Sequence, residues 1–196
     1  AIAYDAFGRK STVYNPTRCN PPTANCGEST WGYTTYAYDG INRPVQITKP
    51  DGSILQSSYT GNSTTVADEA GKKRKTVSDG LGRLTQVFED PAGFNYETDY
   101  VYDALDDLTS VTQSGSRQRT FAYDSLKELT SAVNPESGAA AYAYDNDGNV
   151  ATKIDARSTK TTYSYDQLNR LLSKVYSDST PSATYAYDGN TPSGCT

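Results

Sequence analysis

A Tyr-Asp pair recurs along this chain at nearly constant spacing, and that recurrence limits the folds open to it. The last five aspartates of the series lie 21, 21, 21 and 22 residues apart. A period of this length is typical of arrays in which each unit buries its surface against the next unit. The pairs are Tyr4-Asp5, Tyr38-Asp39, Tyr102-Asp103, Tyr123-Asp124, Tyr144-Asp145, Tyr165-Asp166 and Tyr187-Asp188.

Residues 161–175, with the sequence TTYSYDQLNRLLSKV, show what one unit contains. Tyr163 and Tyr165 alternate with a small residue, which places both rings on one face of a strand. Asp166 then opens a polar turn that ends at Arg170, and its carboxylate is expected to accept N–H groups of that turn. The apolar run from 171 to 175 predicts a second strand. Two strands and two turns in about 21 residues predict an all-β, antiparallel β-hairpin repeat array with about sixteen strands.

The array is irregular near its start. The interval from Asp5 to Asp39 is 34 residues long, so we predict one array over residues 1–196 with an inserted loop at 15–32. Cys19 and Cys26 flank the centre of this loop and can form a local disulfide if the protein is secreted; the alternative is two unpaired thiols. The sequence opens and closes inside repeats, so we expect it to be a fragment of a longer chain.

The composition removes most catalytic chemistry. The chain has no histidine, which excludes Ser-His-Asp and Cys-His constellations and histidine zinc sites. Most carboxylates occupy repeat positions, where capping a turn explains them. The segment 145–149, DNDGN, resembles the start of a calcium loop, but no glutamate stands at its twelfth position. We therefore predict no catalytic residue, no metal and no cofactor, and one possible glycan acceptor at Asn62 in an Asn-Ser-Thr sequon.

Charge and hydropathy limit the partners. The net charge is −5, which argues against a nucleic-acid surface. The one basic run, residues 72–75, reads either as a solvated turn and strand start or as a contact for an acidic partner. No apolar segment approaches 18 residues, so we predict no membrane insertion.

The repeats resemble the YD-repeat (Rhs-repeat) family. The family pattern of Tyr-Asp, two free positions and Gly-Arg is matched over residues 4–9 and, with asparagine in place of glycine, over 38–43 and 165–170. Three units depart from it: ALDD follows Asp103, SLKE follows Asp124, and Tyr59 lacks its aspartate. We expect altered turns in these units. Asp90-Pro91-Ala92-Gly93 is faintly similar to the family's self-cleavage region, but its place within the array favours an ordinary turn.

The resemblance implies a sheet that coils as a spiral strip, solenoid or shell segment, as in bacterial Rhs toxins, toxin-complex shell proteins and teneurins. It predicts a non-catalytic wall or scaffold segment of a large secreted or cell-surface protein, which we expect to be bacterial. Its partners would then be the rest of its own longer chain or further copies of itself. Two alternatives stay open: an extracellular fibre built by stacking of sheet edges, and a carbohydrate-binding or adhesion module that uses tyrosine ladders.

Overall fold

The computed structural model describes residues 1–15, 32–115 and 117–187. Within them the chain forms seventeen β-strands and no helix, which confirms the all-β antiparallel prediction and is close to the expected sixteen strands. The candidate disulfide between Cys19 and Cys26 lies outside the described residues, as do Asp188 and all but the two ends of the predicted inserted loop.

The chain divides into two units, Ala1–Glu97 and Thr98–Thr196. In the first unit, consecutive strands pair in an antiparallel meander in which every strand is the sequence neighbour of the strand beside it. Its strands are β1 Ile2–Tyr4, β2 Lys10–Tyr14, β3 Tyr33–Tyr38, β4 Pro44–Thr48, β5 Ile54–Thr60, β6 Ser63–Ala67, β7 Lys73–Ser78 and β8 Leu84–Glu89.

The second unit repeats this plan. It contains most of β9 and all later strands, again paired in sequence order. The strands are β9 Tyr96–Tyr102, β10 Leu108–Gln113, β11 Arg117–Tyr123, β12 Leu129–Asn134, β13 Gly138–Tyr144, β14 Val150–Ile154, β15 Lys160–Tyr165, β16 Leu171–Tyr176 and β17 Ala183–Thr184.

The strands alternate between a half-buried face and an exposed face. In β13, Tyr142 and Tyr144 are half-buried while Ala143 is exposed, as the period-two pattern predicts. Very little of either unit is deeply buried: among the described residues the only buried apolar side chains are Val87 and Ala132. Backbone ladders and half-covered tyrosines, not a globular core, therefore hold each meander together.

Consecutive turns of a meander lie alternately at the two ends of its strands. The Tyr-Asp turns connect β1 to β2, β3 to β4 and so on, so within each unit they all lie at the same end of the strands. The register of the paired strands shifts by one residue immediately before the aspartate, for example between Ala37 and Tyr38 and between Ala143 and Tyr144. These bulges sharpen the twist where each turn begins.

Candidate functional site: the aspartate turns

A five-residue turn that begins with aspartate recurs nine times in the described residues. In each, the aspartate N–H donates to the carbonyl of the fifth residue, and the N–H of the fourth residue donates to the aspartate carbonyl. We call these the aspartate turns; they span 5–9, 39–43, 68–72, 79–83, 103–107, 124–128, 145–149, 155–159 and 166–170.

The aspartate side chain closes each aspartate turn from inside. Its Oδ1 accepts the N–H of the third residue at 2.8–3.0 Å and the N–H of the fifth at 2.7–3.0 Å. The fourth residue has φ between 60° and 83°, the left-handed region that suits a three-residue hairpin loop. Glycine occupies four of these positions, and Asn42, Asp106, Lys127, Ser158 and Asn169 occupy the others.

Four of the aspartate turns end in arginine, and we call them the arginine turns: 5–9, 39–43, 79–83 and 166–170. In each, the arginine Nε donates to the aspartate Oδ2 at 2.6–2.7 Å. These contacts lower the pKa of the aspartates. For Asp39 the backbone N–H of Arg43 is the largest cause, and the Arg43 guanidinium adds to it against an opposing effect of burial. The arginine turns therefore hold a charged carboxylate down to unusually low pH.

In three of the arginine turns, the same guanidinium also contacts a tyrosine ring of the next hairpin. The guanidinium carbon of Arg43 lies 4.1 Å from the centre of the Tyr59 ring, and Arg9 and Arg170 lie 4.6 Å from Tyr38 and Tyr187. A cation within about 6 Å of a ring face is attracted by its quadrupole. Each of these arginines therefore joins its own turn to the next hairpin.

A tyrosine hydroxyl makes the reverse connection. Tyr38 donates to the carbonyl of Lys10 at 2.9 Å, and Tyr59 donates to the carbonyl of Pro44 at 2.9 Å. The acceptor in both pairs is the residue immediately after an aspartate turn. The same bond joins Tyr144 to Leu129, Tyr165 to Val150 and Tyr187 to Leu171, each at 3.0 Å. We call this contact the tyrosine hook.

Two aspartate turns of the second unit end in an acid, and we call them the carboxylate turns: 103–107 and 124–128. Their hydrogen bonds match those of the arginine turns, so the expectation that these turns would be altered is wrong. The backbone needs only the aspartate Oδ1 and a left-handed fourth residue, and Asp106 and Lys127 supply the latter. What changes is the charge at the fifth position.

The acids of the carboxylate turns lie in unfavourable surroundings. Burial raises the pKa of Glu128, and the nearby charges of Asp124 and Asp145 raise it further. Asp107 places its Oδ2 out of contact with water, and that atom has no hydrogen-bond partner within the described residues. Burial and the charges of Asp107 and Asp103 also raise the pKa of Tyr123. Negative charge accumulates here because no arginine stands at the fifth position.

Two aspartate turns, those at Asp68 and Asp155, were not predicted from the sequence, because neither aspartate follows a tyrosine or precedes a Gly-Arg pair. Gly71, three residues after Asp68, was a readable signal for the first; Ser158 gave none for the second. The two acids of the Asp68-Glu69 pair have separate roles. Asp68 caps its own turn, and Glu69 pairs with Lys49.

The remaining candidate residues have local contacts. Asn62 Nδ2 donates to the carbonyl of Ser78 at 2.7 Å, so the glycan acceptor atom is engaged in the sheet. In the basic run, Arg74 pairs with Glu89 at 2.9 Å and Lys75 lies 5.2 Å from the Phe88 ring centre. Asp90 closes the turn that precedes β9, accepting the N–H of Phe94.

The described residues contain no group of three or more acidic or cysteine side chains arranged to hold a metal ion. Nowhere in the same ranges does a helix have the length and apolar character that a membrane crossing requires.

Comparison with known proteins identifies the repeats. The model of the RHS repeat family matches residues 102–139 and 144–181. No curated protein matches the chain in sequence. A crystal structure of TcdB2-TccC3 superposes with a TM-score of 0.77 at 18% identity over 97% of this chain, and a second TcdB2-TccC3 structure, without the hypervariable C-terminal region, gives 0.75 at 17%. A Tc holotoxin pore from Photorhabdus luminescens gives 0.72 at 16% over 93% of this chain.

The extent of these similarities sets what they mean. This chain spans only 10–11% of the length of the solved chains it matches, and at these identities the likeness concerns the fold alone. Nothing in the similarities supports the fibre or the carbohydrate-binding alternative. The family match runs from the end of β9 to the end of β16, except for residues 140–143, and it includes the tyrosine hooks of Tyr144 and Tyr165 and turns of both classes. The match identifies residues 102–139 and 144–181 of this chain as RHS repeats, also called YD repeats.

Proposed function

We propose that this chain is a non-catalytic structural segment, a wall of β-hairpin repeats within a larger secreted protein. The observation that carries the proposal is the tyrosine hook. It occurs five times, in both units, and each time joins a hairpin to the one before. A guanidinium lies against the same ring in three of the five, at Tyr38, Tyr59 and Tyr187. A contact that recurs between neighbouring hairpins can stabilise a long array, because each unit needs only its neighbours.

The chemistry of the aspartate turns supports the same role. Aspartate Oδ1 is occupied by two backbone N–H groups in every aspartate turn, so these carboxylates are committed to the fold. The tyrosine rings are half-covered as well: Lys153 lies 5.8 Å from the Tyr142 ring centre and Lys174 lies 6.0 Å from the Tyr163 ring centre. Rings engaged in this way serve as packing surface.

The more specific form of the proposal is a shell segment of a bacterial toxin component. It draws on the family match and on the fold shared with TcdB2-TccC3 structures, whose chains are about nine times longer. In that setting the partner of this segment is the rest of its own chain, joined through further hairpins, and the location is extracellular. Asn62, whose amide nitrogen already donates to the carbonyl of Ser78, has no part in it.

Electron microscopy of the full-length natural protein tests this proposal. We expect the segment to form part of a continuous hydrogen-bonded wall around a hollow particle. Replacing Tyr165 with alanine removes a tyrosine hook and should reduce the yield of intact particles. Tyr176→Ala, in the strand that follows, is the matched control and should leave the yield unchanged. A segment joined to its neighbours only by flexible linkers would refute the wall, and filaments would point back to a fibre.

A further inference from the structure

Four described aspartates are followed directly by glycine: Asp39, Asp51, Asp79 and Asp147. A fifth, Asp188, lies outside the described residues. An aspartate before glycine is the step at which a polypeptide isomerises most readily, because glycine has no side chain to shield its nitrogen from the aspartate carboxyl group. The sequence alone does not distinguish the four steps, but the hydrogen bonds of their carboxyl groups do.

Asp39 and Asp79 are the first residues of arginine turns, and their carboxylates are held on both oxygens. Each Oδ1 accepts two backbone N–H groups, and each Oδ2 accepts the arginine Nε at 2.7 Å. The pKa of Asp39 is lowered chiefly by the backbone N–H of Arg43, and the pKa of Asp79 chiefly by the side chain of Arg83. Isomerisation requires the carboxyl group to lose an oxygen as water, so these bonded, ionised carboxylates are protected.

Asp51 and Asp147 form a matched pair, because each is the third residue of a five-residue turn with the same backbone bonds. In the turns 49–53 and 145–149, the N–H of the first residue donates to the carbonyl of the fifth at 2.9 Å. The N–H of the fourth residue, a glycine in both, donates to the carbonyl of the first at 2.9 and 3.2 Å. The backbones match, so the two steps differ mainly in the surroundings of the carboxyl group.

The carboxylate of Asp51 is engaged because its turn begins with lysine. With no aspartate at position 49 to bind the N–H of Ser53, Asp51 Oδ1 accepts that N–H at 2.9 Å and the Ser53 hydroxyl at 2.7 Å. The hydroxyl is the largest cause of the lowered pKa of Asp51. The third residue of such a turn is therefore protected when the fifth residue is free to bond with it.

Asp147 has no such protection, because the equivalent N–H is already taken. The N–H of Asn149 donates to Asp145 Oδ1 at 2.9 Å. Asp147 is exposed, and its carboxyl group forms no hydrogen bond or ion pair with any described residue. Apart from its chain neighbours, the one described atom within 4 Å of the place that a Cβ on Gly148 would occupy is Glu128 Oε1, at 3.4 Å, so the step is also uncrowded.

We propose that Asp147 is a modification site, where the chain forms isoaspartate without an enzyme. The nitrogen of Gly148 attacks Cγ of Asp147 and forms a C–N bond. One carboxyl oxygen leaves as water with the amide proton and the carboxyl proton, which closes a five-membered succinimide. Water then adds to the main-chain carbonyl carbon of Asp147, and breakage of its bond to nitrogen leaves the chain running through the side-chain carbonyl. The residue regains the water that it lost, so its mass is unchanged.

Isoaspartate at this place changes the turn. It adds one carbon atom to the backbone between the N–H groups of Asp147 and Asn149, which Asp145 Oδ1 binds together. It also moves Asn149, whose Nδ2 donates to Asn169 Oδ1 of the next Tyr-Asp turn at 3.0 Å. Isomerisation therefore loosens a connection between two consecutive hairpins.

Incubation of the whole chain for several weeks at about 37 °C and near pH 6 tests this. After digestion, the peptides that contain the four steps are separated, and electron-transfer fragmentation in a mass spectrometer distinguishes isoaspartate from aspartate. We expect Asp147 to isomerise about tenfold faster than Asp51, which must first release two hydrogen bonds. Asp39 and Asp79 should be no faster than Asp51. A rate at Asp147 equal to or below that at Asp51 would overturn the proposal.

The same incubation in guanidinium chloride separates the effect of the fold from that of the local sequence. Once the chain is unfolded, the carboxyl groups of all four steps are free, and we expect their rates to become similar. If Asp147 stayed the fastest by the same factor, the residues beside it in the sequence rather than the fold would be the cause, and the proposal would be wrong.

Two variants assign the effect to single groups. Asp147→Glu keeps the charge but would have to close a six-membered ring, so isoaspartate should disappear from this peptide; its persistence would place the reaction at Asp145 or Asn146 instead and refute the site. Ser53→Ala removes the hydroxyl bond at Asp51 and should raise the rate of that step roughly threefold, while the rate at Asp147 stays the same. An unchanged rate at Asp51 would show that hydrogen bonding does not protect the step. These measurements do not depend on the wall function, since the reaction needs only the folded segment and water.

Discussion

Arg43 and Glu128 stand at the same position of two turns whose backbones match, yet a carboxyl group in each turn has its pKa shifted in the opposite direction. Beside Arg43, the pKa of Asp39 lies below its ordinary value. Beside Asp124, the pKa of Glu128 itself lies above its ordinary value. The comparison separates two roles that the repeat usually combines. The aspartate and a left-handed fourth residue form the turn, while the arginine pairs with the aspartate carboxylate and contacts the ring of the next tyrosine.

Because shape and charge are separable, a turn can lose its arginine without losing its fold. The second unit does so in two successive turns and places Asn149 at the same position in the third. In the second unit this places the acids of the two carboxylate turns at the same end of the strands. A repeat protein can thus change the charge at the fifth position of its turns while its strand register stays unchanged.

The largest expected effect comes from removing the aspartate itself. Asp39→Ala deletes two backbone hydrogen bonds and the ion pair with Arg43, so we expect the melting temperature to fall by on the order of 5 °C. Asp124→Ala deletes two backbone bonds but also relieves repulsion with Glu128, and the fall should be about half as large. Thermal denaturation followed by circular dichroism measures both. Equal losses would mean that charge contributes nothing to the difference.

The next effect comes from converting one class of turn into the other. Glu128→Arg should place a guanidinium between Asp124 and Tyr144, as Arg43 lies between Asp39 and Tyr59, and raise the melting temperature by roughly 3 °C. The reciprocal change, Arg43→Glu, should lower it. Glu136→Arg serves as the control for a general effect of net charge. A destabilised Glu128→Arg variant would show that the carboxylate turns differ from the arginine turns in more than charge.

The hairpins of both turn classes could be predicted from sequence, but the contacts between hairpins could not. Alternation around Tyr163 and Tyr165 and the polar residues that follow are local signals, and they fix strands and turns. The bond from Arg9 to Asn42 joins residues 33 apart, and its existence depends on which turn lies alongside. The turn at Asp155 was missed because its left-handed position is occupied by Ser158, whereas glycine is the residue that normally indicates such a position.

The carboxylate turns show the opposite error. The departures from the family pattern after Asp103 and Asp124 were interpreted as altered turns, since the pattern presents Gly-Arg as one motif. In the structure the two positions act independently: the residue before the arginine sets the backbone, and the arginine sets the charge. The sequence pattern alone does not separate the roles of the fourth and fifth residues, whereas the hydrogen bonds of the structure do.

The pH dependence of stability should have opposite sign in the two classes. The raised pKa of Glu128 means that the folded state binds this proton more tightly than the unfolded state, so stability falls as pH rises from about 4.3 through the raised value. The lowered pKa of Asp39 gives a contribution that is present above about 3.9 and lost as pH falls further.

Denaturant titrations from pH 3 to pH 7 test this contrast. Glu128→Gln should stabilise the chain at pH 7 and have almost no effect below pH 4, while Asp39→Asn should destabilise it at pH 7 and lose only part of that effect between pH 4 and pH 3. Asp147→Asn, at an exposed acid outside both turn classes, controls for general charge effects. A Glu128→Gln variant whose stability runs parallel to the wild type across this range would contradict the raised pKa.

The smallest effect concerns a feature that both classes share, the tyrosine hook. Tyr144→Phe removes the hydroxyl that donates to Leu129 and should cost about 1 kcal/mol in free energy of unfolding, the usual net value of one such bond. Tyr38→Phe, at a tyrosine that contacts the arginine turn 5–9, removes the matching bond to Lys10 and should cost no more, because its ring keeps the contact with the Arg9 guanidinium. Urea denaturation of the two variants measures both losses. If Tyr38→Phe were clearly the more damaging, the hook and the guanidinium would be coupled, and the arginine turns would owe their stability to the pair rather than to charge alone.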